Sequence, residues 1–119
     1  MNISQFVKQQ NTTVDTIKHY LKLELLTPQK KQSWYNFTEQ EAADFQNIQA
    51  LKKLGFPLAL IKKLKESHEK YCGTPQQWQQ NLVIIEEALV QVAIEKADLQ
   101  IREDNLLQTK AQLLEKLAE

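Results

Sequence analysis

Three observations predict a mostly α-helical chain with one small β-hairpin and a long C-terminal helix. Only two glycines and three prolines interrupt the 119 residues, and β-branched residues are sparse, which disfavours a sandwich or barrel. The one stretch with strand character, Trp34–Phe37, is short and follows a polar segment. Finally, Trp78, Ile85, Val92, Leu99, Leu106 and Leu113 recur every seven residues through a segment that lacks glycine and proline after Pro75, the signature of a heptad seam.

A short helix begins near Ser4, with Phe6 and Val7 as its buried residues. Asn11-Thr12-Thr13 forms a turn, and Thr13 is placed to cap a second helix from Val14, whose Val14, Ile17 and Leu21 make one apolar face. Lys18, His19 and Lys22 fall away from that face. Pro28 ends the next segment, and residues 29–37 read as a hairpin with strands of three or four residues. Thr38-Glu39-Gln40-Glu41 is a capping box that starts a third helix. That helix runs through Phe45, Ile48 and Leu51 to Gly55, which suits the left-handed C′ position. Pro57 fits the first turn of a fourth helix, Leu58 to about His68, with Leu60, Ile61 and Leu64 inward.

After a break at Cys72–Pro75, residues 76–119 form one helix of about 66 Å at 1.5 Å per residue. Beside the apolar row at Trp78 lies a second core row, Leu82, Leu89, Lys96, Glu103, Lys110 and Leu117, polar in its middle. A stripe of this kind requires a partner helix. Folding back on the same chain is one solution and dimerisation the other, and the length favours dimerisation. The domain boundaries expected are therefore 1–71 for a globular head, 72–75 for a linker and 76–119 for a coiled-coil dimerisation helix.

The single cysteine excludes an internal disulfide and argues against a multi-cysteine metal finger. The longest apolar run is four residues, far below the roughly 18 that span a bilayer, and Asn2, Ser4, Gln5 and Lys8 break up any signal-peptide core. A soluble, cytoplasmic protein with no membrane partner is the expectation. No Gly-rich phosphate loop, no H-E-x-x-H and no nucleophile with a matching His and acid occurs, so no enzyme activity and no cofactor are expected. Glu86-Glu87 reads as a solvated pair on a helix.

Lysine plus arginine and aspartate plus glutamate balance at 15 each, yet the balance is uneven along the chain. Met1–Tyr71 holds eleven lysines, no arginine and seven acids, a net charge of +4, and the remainder carries −4. Between Lys18 and Lys65 nine lysines face four acids, an excess suited to a polyanion.

The order of elements and four motifs resemble the MerR family of winged helix-turn-helix transcription regulators. "NTTVDTIKHY" is similar to the family's turn and recognition helix, G-V-S-x-x-T-L-R-Y-Y, with Thr16 and Tyr20 matching directly. "LKLELLTP" looks like the following stretch that ends in Leu-Leu-x-Pro. "WYNFTEQEA" is similar to the wing and third-helix start, Y-R-x-Y-S/T-x-x-D/E, and "IQALKKLGFPLALIKKL" to I-x-x-L-R-x-L-G-F/M-S/T-L-x-x-I. The likeness covers about residues 1–65 in register. It departs at the usual Arg-Tyr-Tyr, here Lys18-His19-Tyr20, at the wing arginine, here Tyr35, at the turn glycine, here Asn11, and at Leu21, where the family has an aromatic-to-acid step.

The resemblance implies a winged helix-turn-helix head with a β-hairpin wing, followed by a long dimerising helix. It places Thr13, Thr16, Lys18, His19 and Tyr20 on or beside the recognition helix, and Lys30, Lys31, Ser33 and Tyr35 in the wing. Lys52 falls in a backbone-contacting region. Thr16 and Lys18 are expected at phosphates or base edges and Tyr20 at a phosphate through its hydroxyl, with ordinary packing as Tyr20's alternative. Trp34 is expected to pack the wing onto the core, with stacking on DNA as its alternative. Trp78, Leu82, Ile85, Leu89, Val92, Leu99, Leu106 and Leu113 are the dimer interface. His68 and Cys72, four apart, share a helix face as metal ligands sometimes do; a redox-sensing thiol and an ordinary surface cysteine are the other readings, and no metal is assigned.

The function implied is that of a homodimeric regulator, paired through antiparallel C-terminal helices, that reads a near-palindromic promoter operator in double-stranded DNA. RNA polymerase is the further partner at such a promoter. The alternative is a coiled-coil interaction module with a degenerate, non-specific head, which the missing arginines motivate.

Overall fold

A computed structural model describes all residues, 1–119. Five helices and one hairpin follow in the order α1 (Ile3–Gln9), α2 (Val14–Lys22), β1 (Gln29–Lys31), β2 (Trp34–Asn36), α3 (Glu39–Lys53), α4 (Leu58–Tyr71) and α5 (Pro75–Ala118). The chain divides into two compact units, Met1–Trp78 and Gln79–Glu119. No helix is long and apolar enough to cross a membrane.

The helix starts follow local hydrogen-bond chemistry. Thr13 Oγ1 accepts from the Thr16 N–H at 3.2 Å, which caps α2 as expected. The expected capping box at α3 is also present, with Glu41 accepting from the Thr38 N–H at 2.9 Å. A second box, unforeseen, starts α1: Asn2 Oδ1 accepts from the Gln5 N–H and Gln5 Oε1 from the Asn2 N–H, both at 2.9 Å. Pro57 stands one position earlier than expected, as the N-cap of α4. Thr74 Oγ1 takes the Gln77 N–H at 3.3 Å, so α5 starts at Pro75, a residue that suits the first helical position.

Three helices end in the same way. In α1 the N–H groups of Asn11 and Thr12 bond the carbonyls of Lys8 and Val7 at 3.3 and 3.0 Å. In α2 those of Glu24 and Leu25 bond Leu21 and Tyr20 at 3.1 and 2.9 Å, and in α3 those of Gly55 and Phe56 bond Lys52 and Leu51 at 2.9 and 3.2 Å. Each is the paired 5→2 and 6→1 pattern of a Schellman motif, which needs a left-handed residue at C′. The φ angles there are 53° for Asn11, 60° for Glu24 and 88° for Gly55. Glycine and asparagine tolerate that region; glutamate does so at a cost. Lys65 Nζ donates to the Glu24 carbonyl at 3.1 Å, which satisfies the turn from α4.

The hairpin pairs Gln29 with Asn36, Lys30 with Tyr35 and Lys31 with Trp34. Its two-residue turn places Gln32 at φ 56°, the position where a type II′ turn requires a positive φ. At its base Phe37 donates through its backbone N–H to Met1 O at 2.8 Å. Phe37 then enters the core, where its ring stacks on Phe6 at 4.6 Å and 20°. Phe6 meets Phe45 edge-on at 6.1 Å, and Phe45 lies 6.0 Å from Tyr20. Ile17, Leu25, Leu26, Ile48 and Ile61 complete this cluster, so α1, α2, the hairpin base, α3 and α4 share one core. Trp34 is not part of it. At 45% exposed, it does not pack the wing onto the core as expected, because its side chain belongs to the free end of the ribbon.

In α5 the heptad row is solvent-facing: Trp78, Leu82, Leu89, Val92, Leu99, Leu106 and Leu113 are 45–65% exposed. Ile85 is half-buried, and the one buried residue of this helix, Ile84, lies outside both seam rows.

The left-handed stops make a direct prediction. Glu24→Gly relieves the C′ residue of α2 and raises unfolding stability by about 1 kcal/mol, whereas Asn11→Val lowers it by about 1–2 kcal/mol. Urea unfolding followed by circular dichroism reads both, as a shift in midpoint at constant slope.

Candidate nucleic-acid interface

Exposed cationic residues of the head lie on α2, the hairpin and α3. On α2, Lys18, His19 and Lys22 are exposed, while Ile17 and Tyr20 point into the core. The 3.6-residue repeat produces that division, since the apolar residues fix which side of the helix faces outward. Thr13 and Thr16 stand at the N-terminus with their hydroxyls 2.9 Å apart. That terminus also presents the unpaired N–H groups and positive dipole end that favour a phosphate.

Tyr20 takes the packing alternative, and its hydroxyl also ties α2 to α3. Its ring is 1% exposed and packs in the core. Its hydroxyl oxygen accepts from Gln49 Nε2 and from Lys52 Nζ, both at 3.2 Å. Gln49 and Lys52 thus bridge α3 to the Tyr20 hydroxyl. Lys52 also lies 5.8 Å from the centre of the Tyr20 ring, within cation–π range. The exposed Lys52 ammonium is thus held beside the buried Tyr20 hydroxyl. This link between α2 and α3 joins residues 32 apart in sequence.

In the hairpin Lys30, Lys31, Ser33 and Tyr35 are all exposed. Lys30 Nζ stands 5.7 Å from the Tyr35 ring centre, so the cross-strand partners share a face. The hairpin is thus a cationic ribbon with aromatic side chains interleaved, and its base is anchored by Phe37. Sequence reasoning placed Lys52 near the site but missed Gln49. The only available signal was that Gln49 and Lys52 lie three apart on a helix, one turn, on the side that meets Tyr20.

His68 and Cys72 do come together: Cys72 Sγ is 3.7 Å from His68 Nε2, and Gln77 Nε2 is 3.0 Å from His68 Nδ1. The cysteine is exposed at the end of α4. No group of three or more His, Cys, Asp or Glu residues stands close enough to hold a metal ion.

Comparison with known proteins gives a consistent picture. A family model described as MerR HTH family regulatory protein matches residues 1–68. No curated protein sequence matches the chain. Among solved structures, the chain is similar to EcmrR in the cryo-EM structure of the EcmrR-DNA complex in EcmrR-RPo. The TM-score is 0.54 and the identity 23%, over 94% of this chain and 40% of that one. It therefore spans well under half the length of the EcmrR chain. It is also similar to MtaN, the N-terminus of the Bacillus subtilis multidrug transporter activator, with a TM-score of 0.50 and 19% identity over 85% of this chain and 97% of that one. At these identities the two structures establish a shared fold, and the family match over residues 1–68 carries the assignment. The chain belongs to the MerR family of helix-turn-helix regulatory proteins, a family of DNA-binding transcription regulators.

Proposed function

We propose that this chain is a homodimeric, sequence-specific regulator that reads a near-palindromic promoter operator, with residues 1–71 as the DNA-binding head, 72–75 as linker and 76–119 as the dimerisation helix. The observation that carries the reading is the unpacked heptad row of α5, 45–65% exposed from Trp78 to Leu113 except at half-buried Ile85. A row of that length in water calls for a second helix. A second copy supplies one and brings a second cationic head to the same duplex. That EcmrR was captured with DNA in EcmrR-RPo supports a promoter as the setting, with RNA polymerase as a further partner.

The charged middle of the second seam row favours antiparallel pairing. In a parallel, in-register dimer Lys96, Glu103 and Lys110 would each face their own copies, three like-charged layers. In an antiparallel pair each faces the other row instead, which is apolar throughout. Full overlap of the seam sets Trp78 against Leu117 of the second copy, Leu82 against Leu113, Leu89 against Leu106, and Lys96 against Leu99. Lysine stems cover apolar surface while their ammonium groups reach water, so this arrangement leaves no charge facing its like.

On DNA, the N-terminal part of α2 enters the major groove with Thr16 and Lys18 toward base edges or phosphates. Lys52, held by the Tyr20 hydroxyl, takes a phosphate, and Lys30, Lys31, Ser33 and Tyr35 follow the flanking backbone. Lysine contributes charge without the bidentate fork of arginine, so phosphate neutralisation carries a large share of the affinity.

Electrophoretic mobility shift with fragments of the source genome tests the reading; salt-sensitive retardation at low micromolar protein is expected, and its absence overturns the reading. Lys52→Ala and Lys18→Ala each reduce the slope of log K against log salt by about 1. Tyr20→Phe removes the hydroxyl that holds Lys52 and weakens binding by about 1 kcal/mol with little change in that slope. Helix orientation is read separately in a Cys72→Ser background. Leu82→Cys combined with Leu113→Cys forms a disulfide-linked dimer on mild oxidation, and Leu113→Cys alone does not. A disulfide-linked dimer with Leu113→Cys alone means parallel pairing, and sedimentation as a monomer removes the dimer.

A further inference from the structure

From the placement of Trp34 we infer a DNA contact of a different kind from the lysines around it: the indole face packs against a deoxyribose at the rim of a groove, beside a phosphate held by Lys31. The inference rests on the reading of the hairpin as a DNA-facing wing. The chain buries Phe6, Tyr20, Phe37 and Phe45 in one core, yet leaves a tryptophan 45% exposed. No aromatic ring of the head stacks on it, and no lysine lies over its face.

Strand register says what accompanies it. Residues paired across an antiparallel ladder share a face, and neighbours along a strand alternate faces. Lys31 is paired with Trp34, and Lys30 with Tyr35. Each face of the ribbon therefore presents one ammonium next to one aromatic ring. Of the two pairs, Lys30 is turned onto Tyr35, at 5.7 Å from the ring centre, and that ring is tilted toward Phe37 at 6.5 Å. Trp34 and Lys31 form the pair at the turn, with both groups free. A nucleotide offers the complement of such a pair, a phosphate joined to an apolar sugar face. The positive charge next to the indole disfavours an apolar protein surface as its occupant and favours a polyanion.

An ionic contact and an apolar one respond differently to salt. Removing a lysine that neutralises a phosphate changes the number of released counterions, so the salt slope falls. Removing an aromatic ring that packs on a sugar lowers affinity equally at every salt concentration. A ring that merely props up the hairpin would, when removed, misplace Lys30 and Lys31 and lower the slope as well. The salt slope thus separates contact from scaffold.

The experiment uses the full chain and a fluorescently labelled 40-base-pair duplex of mixed sequence, since a sugar contact is independent of base identity. Anisotropy titrations from low to moderate salt give affinity and slope. Trp34→Ala is expected to bind about tenfold more weakly, the lower range of an aromatic contact with a nucleotide, with the wild-type salt slope. Trp34→Phe restores most of that loss, and Lys31→Ala lowers the slope by about 1. In parallel, duplex protects wild-type tryptophan fluorescence from acrylamide, and the protection is lost in Trp34→Phe, which retains only Trp78. Three outcomes overturn the inference while leaving the proposed function intact: unchanged affinity in Trp34→Ala, a reduced slope in Trp34→Ala, or identical acrylamide protection in wild type and Trp34→Phe. If wild-type protein leaves the anisotropy of the duplex unchanged, this base-independent contact is overturned, while the proposed function stands or falls on the mobility shift with genomic fragments.

Discussion

The stack of Phe37 on Phe6, at 4.6 Å, decides where the hairpin stands. A two-stranded ribbon of three residues per strand is not stable alone in water, so its orientation comes from what its ends are tied to. Phe37 is that tie, and the same cluster receives Tyr20 from α2 through Phe45. The two elements with exposed lysines are therefore positioned by one set of rings. Buried aromatic rings are close-packed and do not slide independently. A change of volume at Phe6 consequently moves both lysine-bearing elements relative to one another, although Phe6 itself is fully buried. Separation of anchoring from contact is visible within single elements too: in α2 Ile17 and Tyr20 hold, and Lys18 and His19 present.

The chemistry of the head follows from having eleven lysines and no arginine up to Tyr71. Lysine is a strongly hydrated point charge on a flexible stem, so each exposed lysine loses rotamer entropy when fixed on a phosphate. The structure offsets that loss at one place. Lys52 is held by the Tyr20 hydroxyl at 3.2 Å before any ligand arrives, so less freedom remains to be lost on binding. Lys65 is committed elsewhere, to the Glu24 carbonyl and to Glu69 at 3.4 Å. The lysine excess of the head is thus not a uniform cloud. Lys65 secures a turn, Lys52 is held by Tyr20, Lys30 lies over Tyr35, and Lys18, Lys22 and Lys31 remain free.

Most of the fold was legible because its punctuation is local. Thr13, the Thr38–Glu41 box and Gly55 declare helix ends through residue types with one favoured backbone role. Glu24 and Gln32 were not legible, since a left-handed glutamate or glutamine carries no mark in the sequence. Their φ angles of 60° and 56° are imposed by the helix stop and the hairpin turn, with tertiary contacts overriding a cost of about 1–2 kcal/mol per residue. The site divides similarly. Its lysines could be named from charge and order, but the Tyr20–Gln49–Lys52 group spans residues 32 apart, and only the packing of α2 on α3 brings it together. Trp34 was misread because a large apolar side chain is a core candidate by default, and nothing local reveals that it sits at the free end of a ribbon. On α5 the seven-residue repeat was plain, whereas the burial of Ile84 lies outside that period and has no signature in it.

The charged positions in the α5 seam bear on why two heads are needed at all. Lys96, Glu103 and Lys110 lower the stability of any helix pair compared with apolar residues, so their presence selects orientation at the expense of strength. A head that relies on lysine–phosphate contacts binds weakly and with little base discrimination by itself, since phosphates carry no direct sequence information. Linking two such heads makes the second binding event intramolecular, at an effective concentration in the millimolar range for short connections. That gain is realised only if the connecting rod holds the heads at one spacing, because a misplaced second head contributes nothing. On the proposed dimer, then, sequence selectivity depends less on any single side chain than on geometric fit between two half-sites and two heads. In that proposal the helix orientation selected by Lys96, Glu103 and Lys110 is what would supply the fit.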